Sequence, residues 1–236
     1  MAEMTTVPIV ALDVSNASDA VRLVDSLGDR CRSYKIGSEL FTAAGPEVVS
    51  RVLTTGSDVF LDLKYHDIPN TVRGAVRAAA ALGVRLVTVH AIGGVAMLEA
   101  AVEAGGDRVG ILAVTVLTSF DDSSLARATG RAGVVATEEV MRLAEIAAGA
   151  GAHGVVCSGA ECAALHQRYE SRLALLVPGI RLLGGAAHDQ KRVVTPSEAA
   201  AAGARYIVVG RAVTAAPDPG AAMEAVLSEL ESVAAA

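Results

Sequence analysis

The chain has 236 residues, of which 52% are hydrophobic and only 3% aromatic, and its formal net charge is −6. The acidic balance and the scarcity of aromatic side chains disfavour a nucleic-acid binder, because such proteins use cationic patches and aromatic stacking platforms. No stretch approaches the ~20 consecutive apolar residues that cross a bilayer. We therefore expect neither a nucleic-acid partner nor a membrane partner.

The N-terminal segment and the cysteines bear on location. No Lys or Arg precedes Val7, and the first apolar run stops at Asp13, which is not the pattern of a secretory signal. Cys31, Cys157 and Cys162 are unevenly spaced and form no Cys-x-x-Cys pair. Reduced, mostly buried thiols are typical of intracellular proteins, so we expect a cytoplasmic location.

An Ala-rich helical segment, a glycine and then an apolar run recur along the whole chain. Glycine just past a helix ends that helix and turns the chain into the next strand. Apolar strands that alternate with helices indicate a parallel sheet covered by helices. We predict an α/β fold with one (β/α)8 TIM barrel domain over residues 1–236, with a doubly wound open sheet as the alternative. The predicted strands lie near 7–13, 32–37, 58–63, 85–90, 109–116, 153–157, 173–177 and 205–209, and helices are expected to begin near Ser18, Pro46, Asn70, Thr137 and Pro196.

The third predicted strand ends in a group of charges. Asp62 and Lys64 are two residues apart, so their side chains point to the same face of the strand, and Asp67 follows just beyond it. Buried charges are costly unless they are paired, so three together indicate a functional site. Lys35, on the second strand, would extend them into an alternating array. The alternative is an ordinary salt bridge at the barrel rim.

Other strand ends also carry polar residues, as the active-site end of a barrel should. Gly210-Arg211 follows the last strand, where a glycine, a helix start and a guanidinium together favour an anion. The alternative is a packing glycine beside a surface arginine. The remaining strand ends carry Asp13, Lys35, His90, Thr118-Ser119, Ser158 and Pro178-Gly179.

A metal site is a weaker interpretation. Asp62, His66, Asp67 and His90 have suitable ligand chemistry, but the fixed cation of Lys64 between them opposes a metal ion. We therefore predict no metal. His90 is either a packed histidine or a site residue.

Two connections are longer than a plain strand-to-helix turn. One runs from Thr118 to Gly133 and is rich in Asp, Ser and Gly; the other runs from Gly179 to Arg192. Long polar loops after barrel strands are candidate lids.

Several short segments along the chain together form a family pattern. They are Ala11-Leu12-Asp13, Lys35-Ile36-Gly37, residues 62–71, Thr88-Val89-His90, Val116-Leu117-Thr118-Ser119, Val155-Val156-Cys157-Ser158, Pro178-Gly179-Ile180-Arg181, Asp189-Gln190 and Val208-Val209-Gly210-Arg211. With these segments the chain resembles the orotidine 5′-phosphate decarboxylases along nearly its whole length. The Asp-x-Lys-x-x-Asp core is shared with related sugar-phosphate barrels, whereas the Ile-Pro-Asn-Thr extension and the late Gly-Arg make the resemblance specific. Val177 stands where the family pattern leads us to expect Thr.

The resemblance implies decarboxylation of orotidine 5′-monophosphate to uridine 5′-monophosphate without a cofactor, the last step of de novo UMP synthesis. Lys64 would protonate C6, Asp62 would lie against the substrate carboxylate, and Lys35 and Asp67 would complete a tetrad. It also implies a homodimer in which Asp67 and Thr71 reach into the neighbouring site. The implied substrate-binding positions are Asp13 at the ribose, Ser119 at the pyrimidine, Gln190 and Arg211 at the phosphate, and also Thr118, Pro178, Gly179, Arg181 and Gly210.

Two other functions remain open from the sequence. One is a Mg²⁺-dependent barrel relative, either a hexulose-phosphate synthase or a keto-gulonate-phosphate decarboxylase, which a chelator would distinguish. The other is a non-catalytic binder of phosphate ligands, which would have no reason to keep Lys64 between two acids.

Overall fold

The computed structural model describes residues 6–182 and 194–234. Within them, eight parallel strands form a closed barrel in which each strand pairs with the next along the chain and the last pairs with the first. The predicted TIM barrel is confirmed, and the open sheet is wrong. The strands are β1 (Val7–Ala11), β2 (Ser33–Gly37), β3 (Asp58–Tyr65), β4 (Leu86–His90), β5 (Gly110–Val114), β6 (Gly154–Val156), β7 (Ala174–Val177) and β8 (Tyr206–Val209).

The α-helices surround this barrel, and the predicted helix starts fall within one residue of observed ones. No helix in the described ranges is long and apolar enough to cross a membrane. The helices are α1 (Ala17–Leu27), α2 (Ser38–Ala44), α3 (Glu47–Leu53), α4 (Pro69–Ala81), α5 (Val95–Gly105), α6 (Asp122–Thr129), α7 (Ala136–Gly149), α8 (Gly159–Tyr169), α9 (Pro196–Ala201), α10 (Arg211–Thr214) and α11 (Pro219–Ala234).

The connection after β5 is more ordered than its polar composition suggests. Instead of a simple loop, it contains α6, whose N-cap Asp121 accepts a hydrogen bond from the Ser124 backbone at 2.8 Å. Leu125 of this helix packs with Val134 and Ala136 in a small cluster of its own. Most of the other predicted lid, Gly179 to Arg192, lies outside the described residues.

The barrel interior decides where a site can form. Large apolar side chains fill its lower part, including Phe60 from β3 and Leu86 from β4. Two residues further along the same strands, Asp62 and Thr88 point into the same interior, because strand side chains alternate. The carboxyl end of the barrel is therefore lined with polar groups above an apolar floor.

Candidate active site

A cavity of about 320 Å³ opens at the carboxyl end of the barrel. Its walls come from the ends of every strand except β4, and Phe60, Leu176 and Val208 form part of its apolar lining. Most of the side chains that the sequence marked as site residues meet here. Those lining the cavity are Asp13, Lys35, Asp62, Lys64, Thr118, Pro178, Gly179, Arg181, Gly210 and Arg211.

Four of these residues form an alternating series of charges. Lys64 Nζ lies 2.8 Å from each oxygen of the Asp62 carboxylate. Lys35 Nζ lies 2.7 Å from Asp13 Oδ1 and 3.8 Å from Asp62 Oδ2. Lys35, Asp62 and Lys64 of the predicted array therefore meet, but the outer acid within one chain is Asp13 and not the predicted Asp67.

The two lysines differ in accessibility. The side chain of Lys35 is 12% exposed and that of Asp62 is 13% exposed, whereas that of Lys64 is 38% exposed. Lys64 is thus the ammonium that a ligand in the cavity reaches most easily. Lys35 is packed behind it against the two carboxylates.

The backbone of β3 is irregular where these charges stand. Leu61 pairs with Val87, and the next pair is Tyr65 with Val89, so residues 62–64 face the single residue Thr88. Lys64 has a φ of +50°, in the left-handed region that side-chain-bearing residues seldom adopt. Such backbone irregularities next to active sites re-aim side chains.

Thr88 contacts both members of the central ion pair. Its hydroxyl donates to Asp62 Oδ1 at 2.9 Å and accepts from the Lys64 backbone N–H at 2.9 Å. The residue is fully buried. The sequence analysis named Thr88 only as part of the segment Thr88-Val89-His90 and predicted no role for it. A polar threonine among the apolar residues of β4 was the signal that could have identified it.

His90 lies at the end of β4, beside these charges. Its ring centroid is 5.7 Å from that of His66. Burial lowers the pKa of His90, and the nearby His66 and Lys64 lower it further, while Asp62 opposes them. The neutral imidazole is therefore favoured. The four residues considered as metal ligands do not converge, and no group of three or more His, Cys, Asp or Glu among the described residues is placed to hold a metal ion.

The wall of the cavity opposite β3 and β4 carries the predicted anion-binding residues. In an eight-stranded barrel, β7 and β8 lie across from β3 and β4. Gly179 follows β7 with a φ of +82°, and Gly210 follows β8 as the N-cap of α10, which Arg211 opens. Arg181 also lines this wall, where its Nη1 donates to the Ile180 carbonyl. Cations therefore stand on both sides of the cavity.

Four predicted site residues are not among the described residues that line the cavity. Ser119 is exposed beyond Thr118, and Gln190 lies outside the described residues. Asp67 and Thr71 are exposed at the start of α4, where Asp67 Oδ1 accepts from the Ile68 backbone at 2.6 Å. Lys35, Asp62 and Lys64 of the tetrad thus meet, whereas Asp67 forms no ion pair with them among the described residues.

Comparisons with known proteins identify the family of the chain. A family model described as orotidine 5′-phosphate decarboxylase / HUMPS family matches residues 6–226. A Halorhodospira halophila protein named orotidine 5′-phosphate decarboxylase is 51% identical over 225 residues, covering 94% of each chain.

Solved structures of the same family also match the chain. The crystal structure of orotidine 5′-phosphate decarboxylase from Lactobacillus acidophilus has a TM-score of 0.84 and 38% identity, covering 96% of this chain and 99% of that one. The corresponding structure from Pyrococcus horikoshii has a TM-score of 0.76 and 27% identity, covering 95% and 99%. The chain therefore belongs to the orotidine 5′-phosphate decarboxylase / HUMPS family.

Proposed function

We propose that the chain is a carbon–carbon lyase that converts orotidine 5′-monophosphate to uridine 5′-monophosphate and CO₂. The observation that carries this function is one cavity with the Asp62–Lys64 pair on one wall and Arg181 and Arg211 on the opposite wall. A ligand with a reacting carboxylate at one end and a phosphate at the other fits this distribution of charge. The family membership and the names of the relatives support the same substrate.

Lys64 supplies the chemistry. When the bond from C6 to the carboxylate breaks, CO₂ leaves and the electron pair stays on C6. A fixed ammonium at this carbon stabilises the developing negative charge and then transfers a proton from Nζ to C6. The partial exposure of Lys64 allows its nitrogen to regain a proton from solvent after product release. No metal or organic cofactor is needed for these steps, and we propose that none takes part.

Asp62 has two roles in this mechanism. Its two contacts of 2.8 Å orient the Lys64 ammonium toward the cavity. Its negative charge also lies where the substrate carboxylate must bind, which raises the free energy of the bound substrate relative to the transition state. Lys35, held between Asp13 and Asp62, offsets part of the charge that accumulates there.

The substrate is bound mainly through its phosphate. Arg211 and the backbone around Gly210 and Gly179 would bind it, and Gln190 joins them by family resemblance. A bidentate guanidinium contact to a phosphate is strong and directional. Because the phosphate is remote from C6, its binding energy can be used to close the site and so act in the transition state.

A homodimer would complete the site. Three large apolar side chains are exposed just before α4 and at or just before the start of the neighbouring α5: Ile68, next to Asp67, is 67% exposed, Ile92 is 56% exposed and Val95 is 47% exposed. Exposed apolar groups of this kind mark interaction surfaces. We propose that a two-fold interface covers them and brings Asp67 and Thr71 into the neighbouring cavity. In a two-fold dimer each subunit then completes the site of the other.

The thiols support the proposed cytoplasmic location. Cys31, Cys157 and Cys162 are free and buried. Burial also raises the pKa of Cys31, which keeps its sulfur protonated and unreactive. Reduced thiols of this kind fit a reducing compartment.

The function is tested by adding the protein to orotidine 5′-monophosphate. We expect the substrate absorbance to disappear and uridine 5′-monophosphate to form in equal amount. A protein that leaves this substrate unchanged but acts on a hexulose phosphate or a keto-gulonate phosphate, with added Mg²⁺, would show that the assignment is wrong.

A further inference from the structure

The hydrogen-bond ladder between β3 and β4 is interrupted at the centre of the site. Residues 62–64 of β3 occupy the space opposite Thr88 alone, so the Lys64 backbone N–H does not meet a carbonyl of β4 in a regular ladder. A buried backbone donor needs a partner. The Thr88 hydroxyl supplies it at 2.9 Å.

The same hydroxyl also fixes the carboxylate. A threonine hydroxyl can donate one hydrogen bond while it accepts others. Thr88 uses its proton on Asp62 Oδ1 at 2.9 Å and a lone pair on the Lys64 N–H. One buried oxygen atom therefore restrains both the left-handed backbone of Lys64 and the carboxylate that pairs with its ammonium.

We infer that Thr88 is a positioning residue for decarboxylation, which sets the Lys64 ammonium and the Asp62 carboxylate in their reactive arrangement. The inference rests on the proposed function. Thr88 lies behind Asp62 and Lys64 and is not among the residues that line the cavity. It therefore acts through these two residues rather than on the substrate. Without its hydroxyl, Lys64 keeps its charge but loses the restraint on its backbone and on its partner.

The test compares Thr88→Val with Thr88→Ser. Valine has a similar shape but no hydroxyl, so kcat should fall by about 10- to 100-fold, as expected when a hydrogen bond to a charged group is lost. The affinity for uridine 5′-monophosphate should hardly change, since that ligand lacks the reacting carboxylate and binds through its phosphate on the opposite wall. Serine keeps the hydroxyl and should restore most of kcat.

Thr115→Val is the matched control. Thr115 is also a buried threonine, and it lies just past the end of β5. Its hydroxyl donates to the backbone carbonyl of Val156 at 2.7 Å and not to a charged site residue. Its loss should lower thermal stability without a comparable fall in kcat. If Thr88→Val does not fold, Thr88→Ala gives the same comparison, with the fraction of competent sites measured by titration with uridine 5′-monophosphate.

The outcomes separate this inference from the proposed function. Wild-type kcat in a folded Thr88→Val or Thr88→Ala protein, or an equal loss in Thr88→Ser, would overturn the role of Thr88. Lys64→Ala, measured alongside, should remain inactive in either case. If Lys64→Ala itself kept its turnover, the proposed chemistry would be at fault instead.

Discussion

Lys64 combines a reactive side chain with an unfavourable backbone conformation. A left-handed φ costs a residue with a side chain roughly 1–2 kcal/mol. Such conformations persist where the surroundings impose them, often at active sites. Here Asp62 holds the ammonium and Thr88 holds the amide, so the contacts that offset this cost also orient the group that we propose to act on C6.

Removal of the Lys64 ammonium should abolish turnover. We expect Lys64→Ala to lose nearly all kcat because the proton donor is gone, while it still binds uridine 5′-monophosphate through the opposite wall. Steady-state kinetics and a ligand titration on one preparation measure both quantities. Substantial kcat in a preparation free of wild-type protein would remove Lys64 from the mechanism.

Arg211→Ala should weaken ligand binding, in contrast to Lys64→Ala. It should weaken the binding of uridine 5′-monophosphate by about 10- to 100-fold, equal to roughly 1.5–3 kcal/mol for a lost charged hydrogen bond. Uridine, which has no phosphate, is the control ligand and should bind both proteins equally. Unchanged affinity for the nucleotide would show that Arg211 is not at the phosphate.

Among the individual elements, the strands and several helix starts were predictable because their signals are local. Apolar runs and the glycines after helices place the observed strands within two residues of their predicted bounds. Helix α6 was not predicted, because its stability depends on the Asp121 cap and on packing of Leu125 against Val134, farther along the chain. The irregular pairing of β3 was also missed, since register depends on the neighbouring strand and not on β3 alone.

The site residues also divide into those predicted by local signals and those that depend on contacts with distant parts of the chain. The sequence identified Asp62 and Lys64 as a pair, because two residues on one strand share a face. It did not identify the 2.7 Å contact between Asp13 and Lys35, because that pair depends on how β1 and β2 lie against each other. It also could not show whether Asp67 serves its own site, since this depends on a second chain.

Close packing between β6 and β7 gives a test of the barrel itself. A Cβ on Gly154 would lie 2.0 Å from the Ala174 carbonyl oxygen, closer than any real contact. Gly154→Ala should therefore lower the free energy of unfolding by about 1–3 kcal/mol, the usual cost of overpacking. Urea denaturation measures this quantity.

Gly149→Ala, at the end of α7, is the control for that substitution. Its added Cβ would meet no atom within 4 Å, so alanine should be neutral or stabilise the helix by up to about 1 kcal/mol. If both variants unfold alike, the tight approach of β6 and β7 is not present in solution.

At the scale of the whole molecule, the barrel explains why distant residues meet in one cavity, whereas the proposed dimer would explain why Asp67 and Thr71 face outward. Lys64→Ala and Asp67→Ala proteins should each be nearly inactive. After subunit exchange, a mixed dimer has one site with both wild-type residues and one site with neither. Mixing the two variants should therefore restore activity, up to about one intact site per mixed dimer.

Two controls define this experiment. Exchange itself must be followed independently, for example with subunits that carry different tags. Each variant mixed with itself should gain nothing. If exchange occurs and no activity returns, Asp67 works within its own chain and the shared-site dimer is wrong.

We propose that this barrel decarboxylates orotidine 5′-monophosphate with protein side chains alone. The most direct measurement is the loss of orotidine 5′-monophosphate absorbance with protein that has been dialysed against EDTA, assayed with EDTA present, and repeated with excess Mg²⁺. We predict full turnover in EDTA, no gain with Mg²⁺, and no turnover by Lys64→Ala under either condition. Activity that disappears in EDTA and returns with Mg²⁺ would show instead that a bound metal ion takes part in the reaction.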